Sequence, residues 1–480
     1  MSAISAPTGA GQDAREPWTL TGPRGSMASP SLTKLMRILI EKLVFGGDGF
    51  GRMEDARLQR CSNFGQGRPI FVSKAVPKDI VDVKIIEDKK NYSRGVIEKI
   101  LKPSPDRIKP ICPYFEQCGG CDHQNISYQN QLKYKDEIFL EVLKRAKVKI
   151  KPEKIIAGSN HPFYYRNSIR FFFILDKNKN IHFGRHNFSD DSKFVIVDFC
   201  MLQSEIANKI LATLKNHINK NVLYKSSFWQ LKIREGKRTG DMMIEIITSD
   251  GELPGQEGII KVLKNIKGIR SIYHTIAPGK SLLNLKRRLI FGSPIIYEKI
   301  GGFTFQISPE SFFQTNSEGV KTLYDKIKEF ADIQFGDEIV DLYCGTGSIG
   351  IYLSTLAKKV IGIEVMPEAI RDAADNAKIN KIKNCEFINT DAARWIKQNK
   401  PGKFSKIIID PPRAGLKKDS IFDISHSDFD ILLYVSCNPS TFARDLKYFA
   451  DRGIITQKIQ PIDMFPQTHH IECVGLLLRK

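Results

Sequence analysis

From Gly302 to the C-terminus the chain alternates helical and strand-like segments, and this alternation restricts the possible folds more than any other feature. Such an order predicts a doubly wound, mostly parallel α/β sheet that binds ligands at the carboxyl ends of its strands. The predicted segments are helix Val320–Phe330, strand Glu338–Tyr343, helix Ser348–Ala357, strand Lys359–Val365, helix Pro367–Asn380, and strands Cys385–Asn389, Lys406–Asp410 and Ile431–Cys437.

Length and charge extend this picture. The chain has 480 residues, more than one hydrophobic core usually organises, so we expect two or three domains. Its 73 basic and 53 acidic residues leave a net charge of +20, which favours a polyanionic partner, with nucleic acid as the leading candidate. The alternative is that the source cell makes basic proteins in general, in which case the charge identifies no partner.

The cellular setting follows from what the sequence contains and lacks. No window holds the roughly 18 consecutive apolar residues of a membrane helix. Residues 1–35 are rich in Gly, Ala, Ser and Pro and contain no signal-peptide core, so we expect a disordered extension there. Nine cysteines, an odd number, indicate a reducing compartment. The sequence therefore predicts a cytoplasmic protein without a membrane partner.

Two smaller domains are expected before the doubly wound one. Short strand-like runs between glycine-rich or charged turns fill residues 36–102 and predict a small β-barrel. The proline-rich stretch LKPSPDRIKPICP then disfavours helix and interior strand, which marks a boundary. Residues 103–300 combine a cysteine cluster, a helix (Tyr128–Arg145) and strand-like runs such as SIRFFFIL, and residues 301–480 form the doubly wound domain.

A glycine-rich turn, VDLYCGTGSIG, follows the first strand of the doubly wound domain. Gly345, Gly347 and Gly350 spell GxGxxG, a weak signal that dinucleotide oxidoreductases and methyltransferases share. Asp341 precedes the turn and Glu364 ends the next strand, where a carboxylate can accept hydrogen bonds from ribose hydroxyls. Both cofactor classes allow this arrangement.

Two acidic residues further along the chain separate these classes. Asp391 follows the third strand, where its carboxylate suits contact with the edge of an adenine ring. Asp410 begins a DPPR turn at the end of the fourth strand, and its carboxylate is expected to face the reactive end of the cofactor. Dehydrogenases have no general need for that second element. We therefore expect S-adenosylmethionine, whose sulfonium already activates a methyl group, so that the protein supplies orientation and a nucleophile.

Cys437 lies at the carboxyl end of the last predicted strand, in VSCNPSTFAR. A cysteine at the carboxyl end of a cofactor-binding sheet is placed to act as a nucleophile. The plainer alternative is a small buried residue, because buried cysteines are common. With the glycine turn and the DPPR turn, Cys437 indicates a methyltransferase that uses covalent catalysis.

A second group of cysteines lies in CPYFEQCGGC. Cys112, Cys118 and Cys121 fall within ten residues, and two adjacent glycines allow the backbone to fold tightly around an inorganic centre. Zinc and an iron-sulfur cluster accept the same thiolate ligands, so the residues alone leave the metal open.

Taken together, these motifs resemble the S-adenosylmethionine-dependent RNA (uracil-5-)-methyltransferases that carry an N-terminal TRAM domain and an iron-sulfur cluster. The resemblance runs from Met36 to the C-terminus, and the ribosomal-RNA branch is the nearer match because the barrel and the cysteine cluster are both present. The motifs are SFFQTN, DLYCGTGSIG, the GIE ending at Glu364, DPPRAGL, SCNPSTFARDL and MFPQTHHIECVGLL.

The resemblance implies separate catalytic roles for two residues. Cys437 would add to C6 of a uracil and so make C5 nucleophilic, and Glu472, in HHIECVG, would remove the C5 proton and release the thiolate. A uracil stacked inside an RNA helix cannot present C5 and C6 to a pocket, so the target base must be unpaired or flipped out. The resemblance also implies six cofactor-binding residues: Gln314, Tyr343, Ser348, Glu364, Asp391 and Asp410. Ser348 departs from the family pattern, in which many members have asparagine at this position.

The resemblance also completes the metal site and names the partners. It implies Cys200, in VIVDFCML, as the fourth ligand of a [4Fe-4S] cluster with a structural role, because methyl transfer moves no net electrons. The expected substrate is 23S ribosomal RNA, with transfer RNA as the alternative. The resemblance further implies that the TRAM-like barrel of residues 36–102 binds RNA and that the central domain of residues 103–300 contacts it. No obligate protein partner is evident, and we expect a monomer.

One strand-like run and three rival functions stay open. YYRNSIRFFFIL interleaves Arg166 and Arg170 with aromatic residues, which suits RNA contact, yet Phe171 and its two neighbours could equally fill a core. The rivals are an amino-methyltransferase, which would need no cysteine, a non-catalytic RNA-binding or ribosome-assembly factor, and an NAD-dependent oxidoreductase.

Overall fold

The computed structural model describes residues 35–53, 67–399 and 403–480. The extension expected over residues 1–35 lies outside the described residues except for Leu35. Contacts divide the chain into two compact units. The first comprises the described part of Met1–Glu116 together with Asp122–Ser127, and the second comprises Gln117–Cys121 and Tyr128–Lys480.

The first unit contains a closed five-stranded barrel. Alternate residues point inward, so that Ile38, Ile70 and Val72 are almost wholly buried in an aliphatic core. Strands β3 (Arg68–Ser73) and β5 (Ser93–Lys102) pair in parallel, and the other neighbouring strands are antiparallel. The order around the barrel is β1 (Met36–Leu43), β2 (Gly49–Met53), β3 (Arg68–Ser73), β5 (Ser93–Lys102) and β4 (Ile80–Asp88). The predicted small barrel is thereby confirmed.

The second unit begins with α1 (Tyr128–Arg145), as predicted, and contains a seven-stranded sheet. This sheet is antiparallel except for one parallel pair, β11 (Met242–Thr248) and β12 (Ile269–Ile276). The same unit contains the helices α2 (Glu205–Asn221) and α3 (Gln256–Leu263). Its order is β13 (Lys286–Gly292), β12 (Ile269–Ile276), β11 (Met242–Thr248), β10 (Phe228–Glu235), β7 (Ser168–Leu175), β8 (Ile181–His186) and β9 (Phe194–Ile196).

The second unit also contains an eight-stranded sheet, which confirms the predicted doubly wound domain. Five neighbouring strands of this sheet are parallel, and each segment that connects them along the chain contains a helix. The strand order is β18 (Cys385–Asn389), β17 (Lys359–Glu364), β16 (Glu338–Leu342), β19 (Lys403–Ile409), β20 (Asp428–Ser436), β22 (Glu472–Arg479), β21 (Ile454–Asp463) and β6 (Ile156–Ala157). The helices of this region are α4 (Ser317–Ala331), α5 (Ser348–Leu353), α6 (Pro367–Ile379), α7 (Ala392–Gln398), α8 (Lys418–Ser425) and α9 (Pro439–Ala450).

Two details differ from the sequence-based division at residue 300. Strand β6 pairs with β21 and so joins the eight-stranded sheet from within the region expected to form the central domain. The hairpin of β14 (Ile296–Ile300) and β15 (Phe303–Ile307) spans the predicted boundary, and its apolar residues pack into the core beneath that sheet. Backbone pairing with β21 decides the first and hydrophobic packing decides the second, and the sequence order reveals neither.

The aromatic run in β7 serves mainly as core. Phe171 is fully buried, and Phe172 and Phe173 are half-buried and pack against other rings, with Phe173 5.1 Å from Phe183 and 5.0 Å from Phe228 between ring centres. Within the part of the chain that the structure describes, no helix combines the length and apolar character needed to cross a membrane.

Candidate active site

The glycine-rich turn joins β16 to α5 at the carboxyl edge of the eight-stranded sheet. Gly347 has a φ of +74°, and a Cβ atom there would lie 2.7 Å from the Phe387 ring. The backbone conformation and the close approach both require glycine. The turn thus brings backbone N–H groups to the start of a helix, where a ligand can approach closely.

Asp341 is the carboxylate at the end of β16 that the sequence placed before this turn. It is fully buried, and its Oδ2 accepts a hydrogen bond from the Gly350 backbone N–H at 3.1 Å. Its Oδ1 has no hydrogen-bond partner. Burial, together with the nearby Asp410 carboxylate, raises the pKa of Asp341 to about 8.

Two other predicted cofactor residues stabilise the local backbone. Glu364 ends β17, where its Oε2 accepts from the Gly345 N–H at 3.3 Å and its Oε1 accepts from the Met366 N–H at 3.0 Å. Asp391 is exposed and caps α7 by accepting a hydrogen bond from the Arg394 N–H at 2.9 Å. Both lie after neighbouring strands, at the edge where the sequence placed them.

Tyr343 and Ser348 flank the glycines. Tyr343 has a φ of +63°, an uncommon conformation for a residue with a side chain, and burial raises the pKa of its hydroxyl to about 12. The Ser348 hydroxyl lies 2.6 Å from the Tyr324 hydroxyl. Tyr324 belongs to α4 and was not singled out by sequence, because an apolar helix face gives no signal for a polar contact.

Gln314 lies in a loop that the seven-stranded sheet holds firmly. The Asn167 side chain donates to the Gln314 carbonyl at 2.9 Å, and the Asn167 backbone N–H donates to the Thr315 carbonyl at 2.9 Å. Two cations on β10 hold the start of the loop, since Arg234 donates to the Ser308 carbonyl at 2.8 Å and Lys232 to the Pro309 carbonyl at 3.0 Å. The loop therefore presents Gln314 from a fixed backbone.

Cys437 and Glu472 are brought together by strand register. Ser436 pairs with Cys473 at the end of the antiparallel ladder of β20 and β22, which brings the adjacent residues Cys437 and Glu472 close enough for the Glu472 carboxylate to raise the pKa of the thiol. Asp410 follows β19, the other neighbour of β20. The thiol and the two carboxylates, which lie far apart in sequence, thus meet at the edge that carries the glycine-rich turn.

Burial governs the protonation of this group. It raises the pKa of Glu472 well above the usual range, an effect that Asp410 adds to, and neither Glu472 oxygen has a hydrogen-bond partner. Burial raises the pKa of Asp410 to about 7. The Cys437 thiol has a pKa raised to about 12 by burial and then by Glu472, while Arg413 acts in the opposite direction.

Arg413 is the functional candidate that sequence analysis missed. Its backbone carbonyl accepts hydrogen bonds from the Asn438 side chain at 3.0 Å and from the Thr441 hydroxyl at 3.2 Å, which fastens the DPPR turn beside Cys437. Its guanidinium lies 3.4 Å from His470 Nδ1. The signal was present, since Arg413 is the arginine of the quoted DPPRAGL motif, but spacing alone gave it no role.

The four cysteines predicted as metal ligands are divided between the two units. Cys112 belongs to the first unit, and Cys118, Cys121 and Cys200 belong to the second. Burial raises the pKa of Cys200, and a negative charge on Cys118 is near enough to raise it further. Across residues 35–53, 67–399 and 403–480, no three or more His, Cys, Asp or Glu side chains are grouped in a way that could hold a metal ion.

The fold and these residues together define a class of protein. A doubly wound sheet, a glycine turn and buried carboxylates with unpartnered oxygens fit a cofactor that is both nucleoside-like and positively charged. A thiol beside them fits methyl transfer by covalent catalysis. The class that matches is the S-adenosylmethionine-dependent methyltransferases.

Comparison with known proteins narrows this class. The tRNA (uracil-5-)-methyltransferase family matches residues 127–480, and the TRAM domain matches residues 33–97. The chain belongs to the tRNA (uracil-5-)-methyltransferase family. The resemblance to S-adenosylmethionine-dependent RNA (uracil-5-)-methyltransferases with a TRAM domain is thereby confirmed.

Individual relatives agree with the family. An uncharacterised RNA methyltransferase of Fusobacterium nucleatum is 37% identical and covers 94% of this chain and 97% of its own. One from Halalkalibacterium halodurans is 33% identical and covers 92% and 96%. The crystal structure of Pyrococcus abyssi tRNA (uracil-54, C5)-methyltransferase with S-adenosyl-L-homocysteine is 28% identical, with a TM-score of 0.72, and covers 92% and 100%.

Proposed function

We propose that this RNA methyltransferase transfers a methyl group to C5 of a specific uridine through a covalent adduct between Cys437 and C6 of the base. The observation that carries the proposal is that three groups meet at one sheet edge. The β20–β22 ladder ends at the Ser436–Cys473 pair, next to Cys437 and Glu472, and Glu472 and Asp410 are near enough to raise the pKa of the Cys437 thiol. An amino-methyltransferase would need neither the thiol nor a base near it. S-adenosylmethionine, when bound, supplies an activated methyl group.

Each residue then has a step. The Cys437 thiol releases its proton to solvent, which the neighbouring Arg413 favours, and the thiolate forms a bond to C6, so that the C5–C6 π electrons move onto C5 and O4 and make C5 nucleophilic. After methylation the ionised form of Glu472 takes the C5 proton, the electrons of the C5–H bond restore the C5–C6 double bond, and the C6–S bond breaks to release the Cys437 thiolate. A carboxylate with a raised pKa is a stronger base, so the burial of Glu472 suits this task. Asp341, Glu364, Asp391, Asp410, Tyr343, Ser348 and Gln314 are proposed to bind the cofactor.

The covalent steps can be tested by trapping. RNA that carries 5-fluorouridine has no C5 proton to lose, so a Cys437 adduct should persist and migrate as a protein–RNA band on a denaturing gel. Cys437→Ala should give no band and no methylation. Glu472→Gln should accumulate adduct on ordinary RNA and turn over slowly. Full activity in Cys437→Ala would refute the mechanism.

For the substrate we propose 23S ribosomal RNA, on the combined presence of the TRAM-type barrel and the cysteine cluster. Transfer RNA is the second candidate, because the Pyrococcus abyssi enzyme acts on tRNA and its whole chain aligns with this one. Quantifying 5-methyluridine separately in ribosomal and transfer RNA, from cells with and without the protein, decides between them. We further propose a monomer that works in the cytoplasm.

We also propose that Cys112, Cys118, Cys121 and Cys200 hold a [4Fe-4S] cluster with a structural role. Support comes from the four thiols, from the glycines between Cys118 and Cys121, and from the nearness of Cys118 to Cys200. Zinc is the alternative occupant. Protein purified without oxygen should contain about four iron and four sulfide ions per chain. Zinc without iron would identify the alternative, and protein with neither metal would refute the site.

A further inference from the structure

The connection between β21 and β22 leads directly into Glu472, the proposed base. Residues 464–471, named the 464–471 loop below, join Asp463 at the end of β21 to Glu472 at the start of β22. Within the part of the chain that the structure describes, neither carboxylate oxygen of Glu472 has a hydrogen-bond partner. The position of this carboxylate therefore depends on the backbone that carries it.

The first part of the 464–471 loop is fixed by side chains from other segments. The Asn316 side chain, just before α4, donates a hydrogen bond to the Met464 carbonyl at 2.9 Å. Lys135 on α1 donates to the Phe465 carbonyl at 3.3 Å and forms an ion pair of 2.7 Å with Asp463. Both members of that ion pair are fully buried. Because a buried charge that loses its partner is costly, these contacts restrict the loop to one path.

The second part of the loop is held by Tyr165 and Gln131. The Tyr165 hydroxyl donates to the Pro466 carbonyl at 3.1 Å. Gln131, on α1, forms two hydrogen bonds with Gln467: its Nε2 donates to Gln467 Oε1 at 2.9 Å, and its Oε1 accepts from the Gln467 backbone N–H at 3.0 Å. Tyr165, Gln131 and Gln467 are all buried, and hydrogen bonds are stronger in such surroundings than in water.

Gln467 has a backbone conformation that needs this support. Its φ of +70° lies in the left-handed region, which is unfavourable for a residue with a Cβ atom. Such a conformation is kept where the surrounding contacts enforce it, and Gln131 supplies two of them. Three residues further on, the His470 ring lies 3.4 Å from the Arg413 guanidinium. The turn at Gln467 thus sets the direction in which the chain enters the site.

We propose that Gln131 and Tyr165 are positioning residues for Glu472. They hold the 464–471 loop in the path that delivers the carboxylate to the C5 proton. Cys437 follows β20 and not β21, so its addition to C6 should not depend on this loop. A displacement of about 1 Å can slow a reaction by about a hundredfold, so a small shift of the loop is enough to disable the base. The inference rests on the proposed function, in which Glu472 removes the C5 proton.

The test times the two covalent steps separately in full-length Tyr165→Phe and Gln131→Met, which keep the side-chain volume and remove the hydrogen bonds. The RNA is an in vitro transcript of 23S ribosomal RNA or transfer RNA, whichever the wild-type protein methylates. Adduct formation is measured on transcripts with 5-fluorouridine, and completion is measured as 5-methyluridine in ordinary transcripts. Both variants should form adduct as fast as wild type but complete the reaction about tenfold more slowly or worse. Adduct should then accumulate on ordinary RNA.

Deuterium at C5 of uridine gives a readout that a general folding defect would not change. If Glu472 is displaced, proton removal from C5 limits the rate. Deuterated transcripts should then slow the two variants by a larger factor than they slow wild type. The affinity for S-adenosylhomocysteine should stay at its wild-type value, because the substitutions act on the base and not on the cofactor.

Two variants in the same unit serve as matched controls. Tyr273→Phe removes a hydroxyl that donates to the Pro294 carbonyl at 2.9 Å, which is the same kind of contact as that of the positioning tyrosine. Gln460→Met removes a buried amide that donates to the Lys154 and Pro461 carbonyls at 2.7 and 2.8 Å. Both controls should keep the completion rate and the isotope effect of wild type.

Slow completion with a larger isotope effect, together with normal adduct formation and an unchanged melting temperature, supports the positioning role. Normal completion by folded variants, equal slowing of formation and completion, or the same slowing in both controls would overturn it. If Gln131→Met does not fold, Tyr165→Phe, which removes a single oxygen atom, decides the outcome. Trapping of 5-fluorouridine RNA by wild-type protein separates the two proposals. If trapping succeeds while the variants complete the reaction normally, only the positioning role is refuted, and if trapping fails, both are refuted.

Discussion

Changing the pH should separate the binding of S-adenosylmethionine from that of S-adenosylhomocysteine. The two molecules differ by one methyl group and by the positive charge of the sulfonium. Asp410 lies at the sheet edge where the reactive end of the cofactor is expected, and burial raises its pKa to about 7. A sulfonium nearby favours the ionised carboxylate, whereas the neutral thioether does not.

The magnitude follows from the fraction of Asp410 that is ionised. With a pKa of about 7, roughly a tenth of Asp410 is ionised at pH 6 and roughly nine tenths at pH 8. If S-adenosylmethionine binds the ionised form, its affinity should rise by about tenfold over this range, which corresponds to about 1.4 kcal/mol. Asp341, whose pKa burial raises to about 8, extends the rise to higher pH.

Isothermal titration calorimetry supplies the assay. At pH 7 the binding of S-adenosylmethionine should release about half a proton per site, measured from the dependence of the heat on buffer ionisation enthalpy. Binding of S-adenosylhomocysteine should release almost none, and Asp410→Asn should remove the difference. Equal proton release with both ligands, or a pH dependence that Asp410→Asn leaves intact, would refute the reasoning.

Three further outcomes are expected. Because burial raises the pKa of Glu472, the folded state binds the carboxyl proton more tightly than the unfolded state does, and the stability of the fold falls as pH rises. Glu472→Gln removes this dependence. The variant should therefore raise the melting temperature relative to wild type more at pH 8 than at pH 5. Lys135→Met leaves the fully buried Asp463 without the ammonium group 2.7 Å away and should lower the free energy of unfolding by about 3–5 kcal/mol in urea, whereas Lys135→Met/Asp463→Leu should recover much of it. Gly347→Ala should weaken S-adenosylhomocysteine binding by more than about tenfold, whereas Gly453→Ala, at a similar φ of +77° but in open space, should not.

Each of these has a contradicting result. A Glu472→Gln protein that melts below wild type at pH 8 would show that the carboxylate is stabilised by something other than a proton. Equal stability of Lys135→Met and wild type would mean that water reaches Asp463. Normal cofactor affinity in Gly347→Ala would place the ligand away from the turn.

The sequence predicted best where a local pattern determines local structure. Helix Tyr128–Arg145 and strand Ser168–Leu175 have the predicted bounds, since their hydrophobic patterns are long and regular. The GxGxxG turn was placed correctly because its conformation needs glycine at Gly347. These features depend on residues that are neighbours in the chain.

The sequence could not predict features that depend on packing between distant segments. Strand β6 has two residues and no pattern of its own, and it exists because β21 offers an unpaired edge. Arg413 acquires a role only when the turn after β19 folds against the start of α9. Likewise, Cys437 and Glu472 were each predicted from motifs, but their proximity depends on the antiparallel pairing of β20 and β22.

Burial raises the pKa of both proposed reactive groups, but the consequences for their reactivity are opposite. The raised pKa, about 12, makes the Cys437 thiolate rare, whereas the raised pKa of Glu472 makes its carboxylate a stronger base. A standing thiolate is disfavoured by low polarity and by nearby carboxylates, so the resting Cys437 should react slowly with alkylating reagents. In the adduct the negative charge is delocalised over the pyrimidine ring instead of resting on sulfur, so the same surroundings oppose the adduct less than they oppose a free thiolate. For Glu472 the raised pKa strengthens the base that ends the reaction. Arg413 is therefore most useful in the brief interval when the thiol proton is lost, and Arg413→Gln should slow adduct formation far more than proton removal from C5.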